Sequence, residues 1–374
     1  MIFKDPVTAE DPRWTPDGNA ILFTSDQRYP GVMRDLWMLR VANGKAQGRP
    51  ELIKGDLGKA LKGKLTAAGA YYYKQTSSVT QTLAVGFDPA TGKVVGESEP
   101  VSLQTGGMSK QPSMSLDGNW LSFFRRSADD KSIIVIQSLQ TGAETAFPTE
   151  LPFAQNSAMF PDGKSLAISD WGQNPKYGFL KFDTNTGAIT PLKDVKGISG
   201  EMNVSPDGRT LYYCQWQGGD RLWHVMAWEI GAGNERELAK GQGGRRDYIS
   251  LSLSLDGSQL AFARTEGNDD VIEVMPSAGG AGREVYRVRG PAMIGALAFE
   301  PDGQHLIFIS EAERGSRMKL LRIAVAGGQP GETGIEAKFL DKIMVHPNGK
   351  RIFYAAGTGT SEIWALENLL PKAK

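Results

Sequence analysis

The sequence predicts an all-β chain: an eight-bladed β-propeller of four-stranded antiparallel blades, closed by pairing an N-terminal strand with the last blade. Three observations lead there. A Pro-Asp-Gly turn signal recurs at Pro16-Asp17-Gly18, Leu116-Asp117-Gly118, Pro161-Asp162-Gly163, Pro206-Asp207-Gly208, Leu255-Asp256-Gly257, Pro301-Asp302-Gly303 and Pro347-Asn348-Gly349, with a worn copy at Ala67-Ala68-Gly69. Consecutive glycines of these turns lie 51, 49, 45, 45, 49, 46 and 46 residues apart, a period that marks stacked repeats and most often a propeller. A second glycine turn follows in each repeat but the last, at Asn43-Gly44, Thr91-Gly92, Thr141-Gly142, Thr186-Gly187, Gly231-Ala232-Gly233, Ala278-Gly279-Gly280 and Ala326-Gly327-Gly328.

The first strand of each repeat ends on an apolar residue three before the turn Asp: Trp14, Leu65, Met114, Met159, Val204, Leu253, Phe299 and Val345. In the turn, Pro sets φ, Asp bonds its own backbone, and Gly accepts positive φ. The second strand places Ile21, Tyr72, Leu121, Leu166, Leu211, Leu260, Leu306 or Ile352 four residues after the Asp position. Two residues on come Phe23, Phe123, Ile168, Tyr213, Phe262, Phe308 or Tyr354, with Lys74 in the worn repeat. That spacing belongs to a strand. Leu22, Phe124, Tyr212, Ile307 and Phe353 make its other face apolar as well, as expected of a strand sandwiched between two layers. The third and fourth strands flank the second turn. The last repeat, ending near Ser361–Leu366, lacks a fourth strand, and Ile2-Phe3-Lys4 is spare. Pairing them would remove an exposed edge.

Composition narrows the function. Lysines and arginines number 42, as do aspartates and glutamates, and no basic stripe interleaved with aromatics appears, so nucleic acid is not an expected partner. No apolar run approaches a membrane span. The start, Met1-Ile2-Phe3-Lys4, does not read as a signal peptide. It opens inside the repeat pattern, which suggests a domain of a longer protein, cytoplasmic or periplasmic, possessing a further N-terminal signalling domain. Residues 1–374 read as one propeller domain.

The Pro-Asp-Gly hairpin followed by Ile/Leu-x-Phe resembles the WD-repeat-like bacterial propeller repeat known as TolB-like. The tail Ile363-Trp364-Ala365-Leu366-Glu367-Asn368-Leu369-Leu370-Pro371 resembles the ends of sensor-like C-terminal propellers of bacterial signalling proteins. The resemblance covers the whole chain and implies a propeller; one such scaffold hosts many activities. TolB itself has six blades and a separate α/β domain, which this pattern lacks. The related peptidases require a Gly-x-Ser-x-Gly nucleophile elbow, which this sequence does not contain.

Candidate chemistry is sparse. The three histidines, His224, His305 and His346, read as solvated turn and strand residues, not as a metal set. Cys214 reads as a buried inert thiol. Asp129-Asp130 and Asp269-Asp270 read as solvated loop charge, since neither has the alternation of a calcium loop. No cofactor, metal or catalytic residue is expected. The loops opposite the Pro-Asp-Gly turns concentrate Arg28, Tyr29, Arg125, Arg126, Trp171, Trp216, Arg221, Arg245, Arg246 and Arg264, residue types enriched at binding hot spots. The alternative is that the aromatics cap blade packing and the arginines pair with nearby acids. The reading is a non-catalytic binding or sensor propeller that takes a protein, a peptide or a small anionic ligand on its loop face. The competing reading is a channel-mouth enzyme such as a polysaccharide lyase or hydrolase.

Overall fold

A computed structural model describes residues 9–25, 34–55, 57, 63–102, 110–126, 131–151, 154–170, 178–195, 198–216, 222–241 and 250–367. Every regular element in them is a strand, and no helix is long and apolar enough to cross a membrane. The chain forms two compact units, Met1–Ser78 with Gly359–Lys374, and Val79–Thr358.

In the first unit, β1 (Ala9–Trp14), β2 (Ala20–Ser25), β3 (Asp35–Ala42) and β4 (Lys45–Lys54) form an antiparallel sheet in chain order. β5 (Lys64–Leu65) pairs with the start of β6 (Tyr71–Asp88), Lys64 opposite Tyr72. The worn turn between them keeps its backbone bonds, Thr66 N to Ala70 O and Gly69 N to Thr66 O. Ala20, Leu22, Leu36, Met38, Leu57, Tyr71 and Tyr73 make the core of this unit, with Leu366 against it.

The second unit starts within β6 and continues into β7 (Lys93–Pro100). Five blades follow, each antiparallel with its strands in chain order. They are β8 (Lys110–Met114), β9 (Trp120–Arg126), β10 (Ser132–Ser138) and β11 (Glu144–Pro148); β12 (Ala154–Met159), β13 (Ser165–Asp170), β14 (Gly178–Asp183) and β15 (Ile189–Asp194); β16 (Ile198–Val204), β17 (Thr210–Trp216), β18 (Trp223–Glu229) and β19 (Glu235–Gly241); β20 (Ser250–Leu253), β21 (Gln259–Glu266), β22 (Asp269–Pro276) and β23 (Arg283–Val288); and β24 (Met293–Phe299), β25 (His305–Glu311), β26 (Met318–Ala324) and β27 (Gly331–Ala337). The sixth blade is composite: β28 (Phe339–Val345) and β29 (Arg351–Leu366) are joined by the end of β6 and by β7.

All eight repeats are therefore realised as antiparallel hairpins, from β1–β2 to β28–β29, and six of them lie in the second unit. There the inner strands are neighbours in the order β8, β12, β16, β20, β24, β28 and back to β8. Each of the six blade interfaces holds its own apolar cluster. Leu306 and Phe308 of β25 face one neighbour while Ile307 and Ile309 face the other. Leu211 and Tyr213 of β17 divide from Tyr212 and Cys214 in the same way. The interface that completes the circle packs Ala84 and Phe353 on Leu121, Phe123 and Val135.

The closing strand differs from expectation. The segment around Phe3 lies outside the described residues, and the blade begun at Ile343 takes its third and fourth strands from β6 and β7. Phe87 N donates to Lys350 O at 2.8 Å, and Tyr354 OH donates to Ser98 Oγ at 2.6 Å across the closure. The physical reason is the length of β6: at 18 residues it is far longer than the other third strands, so one half serves each unit.

The turns repeat one hydrogen-bond pattern. In Ser205-Pro206-Asp207-Gly208 the Ser205 hydroxyl donates to Asp207 and accepts from Thr210 N at 2.8 Å, while Arg209 N donates to Asp207 Oδ1 at 3.0 Å. Thr15, Ser115 and Ser254 repeat the hydroxyl-to-Asp bond. Gly208 has φ +71, which a side chain would resist.

Two expected outcomes test this fold. Phe353 is fully buried at the closing interface, so Phe353→Ala should cost about 3–5 kcal/mol of stability, read as a lowered urea midpoint. The hydroxyl bonds from Thr15, Ser205 and Ser254 are the largest influence holding Asp17, Asp207 and Asp256 below their usual carboxylate range. A depressed pKa in the folded state adds stability above the unfolded value, about 3.9, and that stability is lost as pH falls through the folded value. Ser205→Ala should therefore destabilise by about 1 kcal/mol at pH 7 and by less at pH 3, measured by urea unfolding at both.

Candidate functional site

The inner strands of the six-bladed ring surround a cavity of about 190 Å³. Its lining comes from the last residues of β8, β12, β16, β20, β24 and β28 and from the first residues of the following turns. It therefore occupies the part of the channel nearest the Pro-Asp-Gly turns. Leu116, Pro206, Leu255, Pro301 and Pro347 stand at its mouth, and Lys342 lines its inner end.

A shared repeat position governs that inner end. Five residues before the first turn residue, the ring carries Gln111, Asn156, Glu201, Ser250, Ala296 and Lys342, and the first unit carries Asp11. Inner strands bulge here: register shifts fall between Glu10 and Arg13, Lys110 and Ser113, Ser199 and Met202, Ile294 and Leu297, and Asp341 and Ile343. Asp11, Gln111 and Lys342 have φ of 51°, 55° and 31°. Positive φ is uncommon outside glycine, and a bulge re-aims a side chain.

Within the ring two of these residues, Glu201 and Lys342, are charged, and they meet. Glu201 sits on β16 and Lys342 on β28, three blades apart in a ring of six, so they reach from opposite sides. Lys342 Nζ lies 3.7 Å from Glu201 Oε2. The carboxylate also accepts Leu251 N at 3.0 Å and the Ser250 hydroxyl at 3.2 Å. Ser250 Oγ in turn accepts Leu297 N at 3.0 Å. Burial pushes the Glu201 carboxyl above its ordinary range, and the Lys342 ammonium and the Leu251 amide offset this only in part. Polar residues on inner strands are the sequence signal for this pair. They become visible once the repeats are aligned on their turns, but nothing local says which two positions face each other.

Three of the ten loop-face candidates have described side chains. Arg125, Trp216 and Arg264 lie toward the ends of β9, β17 and β21 remote from the hairpin turns. Arg125 donates to Ser102 and pairs with Glu144 at 2.5 Å, with its guanidinium 5.2 Å from the Phe123 ring centre. Arg264 pairs with Glu273 at 3.0 Å. Trp216 packs beside the cluster containing Tyr212, Cys214 and Trp223. The side chain of Arg126, and Arg28, Tyr29, Trp171, Arg221, Arg245 and Arg246 in full, lie outside the described residues, as does Asp129-Asp130.

The remaining candidates resolve individually. Cys214 is buried, and burial raises its thiol well above the usual range, as expected of an inert thiol. His224 is buried rather than solvated, with Nδ1 2.6 Å from Glu237 Oε2. His346 Nε2 lies 3.2 Å from Gly118 O of the neighbouring turn. Asp269-Asp270 is not solvated loop charge. Asp270 is buried in β22, where it accepts the Thr265 hydroxyl at 2.7 Å and Ile294 N of the next blade at 2.9 Å; the short turn at Gly267 brings it inside. Among the described residues, Glu300, Asp302 and His305 form a cluster whose atoms lie close enough for a metal ion. Both Glu300 oxygens are already held by Arg322, at 2.6 and 3.0 Å, and Asp302 Oδ2 lies 2.6 Å from His305 Nδ1.

The ion pair makes a test. Lys342→Met leaves Glu201 buried without its countercharge and should cost about 3–5 kcal/mol, whereas the double change Glu201→Leu with Lys342→Met should recover most of it. Urea midpoints of the two variants and of the unaltered chain would check this.

No family model matches the chain, and no curated protein matches it. Solved structures do. A protein assigned as TolB from Agrobacterium tumefaciens aligns with a TM-score of 0.59 at 18% identity, over 75% of this chain and 99% of its own. TolB from Acinetobacter baumannii aligns with a TM-score of 0.52 at 15% identity, over 95% of this chain and 81% of its own. A chain of a nidogen–laminin complex gives 0.51 at 14%, over 74% and 98%. At such identities the likeness is one of architecture, and what it shows is a β-propeller similar to those of TolB.

Proposed function

We propose that this chain is a non-catalytic binding propeller whose partner, a protein, a peptide or a small anionic ligand, docks on the loop face. The observation that carries the reading is the uniformity of the opposite face. Around the six-bladed ring, the bond from the turn Asp or Asn to the second residue after it recurs at Asp117, Asp162, Asp207, Asp256, Asp302 and Asn348. A face built six times from one motif offers little to discriminate between ligands, so sequence variety is concentrated at the other strand ends. Arginines there suit carboxylate or phosphate, which a guanidinium binds with two parallel hydrogen bonds. The nidogen–laminin neighbour comes from a complex between proteins, which supports a protein partner. A sensor role, within a longer signalling protein, is the finer form of this reading, and it rests on the sequence resemblance of the tail.

The test begins with pull-down on the immobilised chain and identification of the bound species. Its affinity is then measured against Arg126→Ala, Trp171→Ala and Trp216→Ala. Loss of a central anchor should cost about 2 kcal/mol or more, while Lys164→Ala beside a hairpin turn should leave affinity unchanged. The reverse ranking would place the partner on the turn face. Saturable turnover of an acidic oligosaccharide by the purified chain would replace this reading with the enzymatic one.

A further inference from the structure

We infer that one sheet face of the first unit is a docking surface for an acidic, apolar segment of a partner protein. Tyr72 and Ile363 form its apolar centre, and Lys64 and Lys74 are its charge contacts. It is a strand face and not a loop, so it is independent of the loop-face reading.

A shortened turn creates this face. Thr66 N donates to Ala70 O, four residues on, whereas Thr15 N and Ser205 N reach five residues on, to Ala20 O and Thr210 O. One residue fewer turns the following strand over. Tyr71 therefore stands opposite Leu65 as Ile21 stands opposite Trp14. Tyr71 and Tyr73 enter the core of the unit, at 1% and 3% exposure, and Tyr72 is left on the far face at 42%. At the equivalent place the ring has Ser122, Ala167, Tyr212, Ala261, Ile307 and Phe353, every one buried. Strands on both sides of Tyr72 extend its face. Lys64 of β5 is its cross-strand partner. β29 lies along the other edge of β6. Leu366 of β29 packs on the core side, so Ile363 and Ala365 share the side of Tyr72. Ile363 is 82% exposed.

Charge decides what can cover these residues. Lys74 occupies the place held in the ring by Phe124, Ser169, Cys214, Ala263, Ile309 and Ala355, all uncharged and all buried. A blade of the ordinary kind laid on this face would enclose the Lys74 ammonium without a countercharge, which is expensive. Lys64 and Lys74 are both exposed, and neither enters an ion pair among the described residues. No described residue of this face is acidic. Glu362 lies on the core side, where it accepts Trp364 Nε1 at 2.9 Å. A cover that satisfies both features brings apolar side chains for Tyr72 and Ile363 and carboxylates for the two lysines. Two lysines fall short of the roughly four to eight basic residues that hold a segment on anionic lipid, so the fit is to a protein segment and not to a membrane. A second copy packing this face on itself would set lysines against lysines.

The experiment measures binding of the full chain to the fluorescein-labelled peptide Glu-Leu-Asp-Phe-Glu-Leu-Asp by anisotropy. A neutral version with Gln and Asn, and a basic version with Lys, are measured beside it. The acidic peptide should bind saturably, and the neutral one at least tenfold more weakly. Lys64→Glu with Lys74→Glu should weaken the acidic peptide at least tenfold and bind the basic one instead, a reversal that a loosened fold would not give. Ile363→Ser should weaken the acidic peptide at least threefold. Arg317→Ala, exposed on β26, should match the unaltered chain. The inference is overturned if the acidic peptide does not bind the full chain, or if the neutral peptide binds as well. Binding that appears only when residues 2–8 are deleted would make the chain's own N-terminus the cover and would overturn it too. So would a loss on Arg126→Ala with none on the lysine changes, which puts the peptide on the loop face. Two further results count against it: vesicles of phosphatidylcholine with phosphatidylserine responding to the lysine changes while the peptide does not, and a dimer that Ile363→Ser converts to a monomer in sedimentation.

Discussion

The second strand of each blade is buried on both faces, and that one constraint organises the second unit. Leu306 and Phe308 need one neighbouring blade, Ile307 and Ile309 need another, and no blade can bury its own second strand. A row of such blades leaves apolar surface at both ends, whereas a ring leaves none. At roughly 25 cal/mol for each Å² of apolar surface removed from water, side chains as large as Phe308 and Phe353 make an open row costly. The circle of six interfaces, each with its own cluster, meets that demand.

Closure also defines what the channel can contain. Inner strands turn their free edges toward the axis, so the residues at one repeat position converge from six directions, five of them polar. Asn156, Ser250 and Ala296 ask little of their surroundings. Glu201 and Lys342 do not, because an isolated buried charge is expensive, and their opposition across the ring makes each the other's compensation. A ring with an odd number of blades would place no two inner strands directly opposite; six does.

Much of this was legible in the residues. The eight hairpins follow from the Pro-Asp-Gly period, and the sandwiched strands from apolar residues on both faces at Leu22, Phe124 and Ile307. Turn and strand signals are local, so a local reading finds them. The closing partner was not legible, because a period-two pattern says that a strand must pair without saying with which one, and β6 looks like an ordinary second strand running into an ordinary third. Asp270 looked like loop charge because its hydrogen-bond donor, Ile294 N, belongs to the next blade. Glu201 and Lys342 were overlooked for the same reason: their meeting is a property of the ring and not of either repeat. The hydroxyl residue that locks most turns, such as Ser205 or Ser254, was visible in sequence one place before the motif and was simply outside it.

The join between β6 and β29 bears on how the chain is made. Phe87 and Lys350, bonded in the finished ring, are about 260 residues apart, and synthesis proceeds at roughly 5–20 residues per second. Between the emergence of β6 from the ribosome and that of its partner, about 13–50 s elapse. Throughout that interval Ala84 and Phe87 have no closing strand to cover them, while five complete blades assemble behind them. The nascent chain thus holds an adhesive strand edge for most of its own translation, and its yield in a cell will depend on protection of that edge by chaperones or by a slow approach to high concentration.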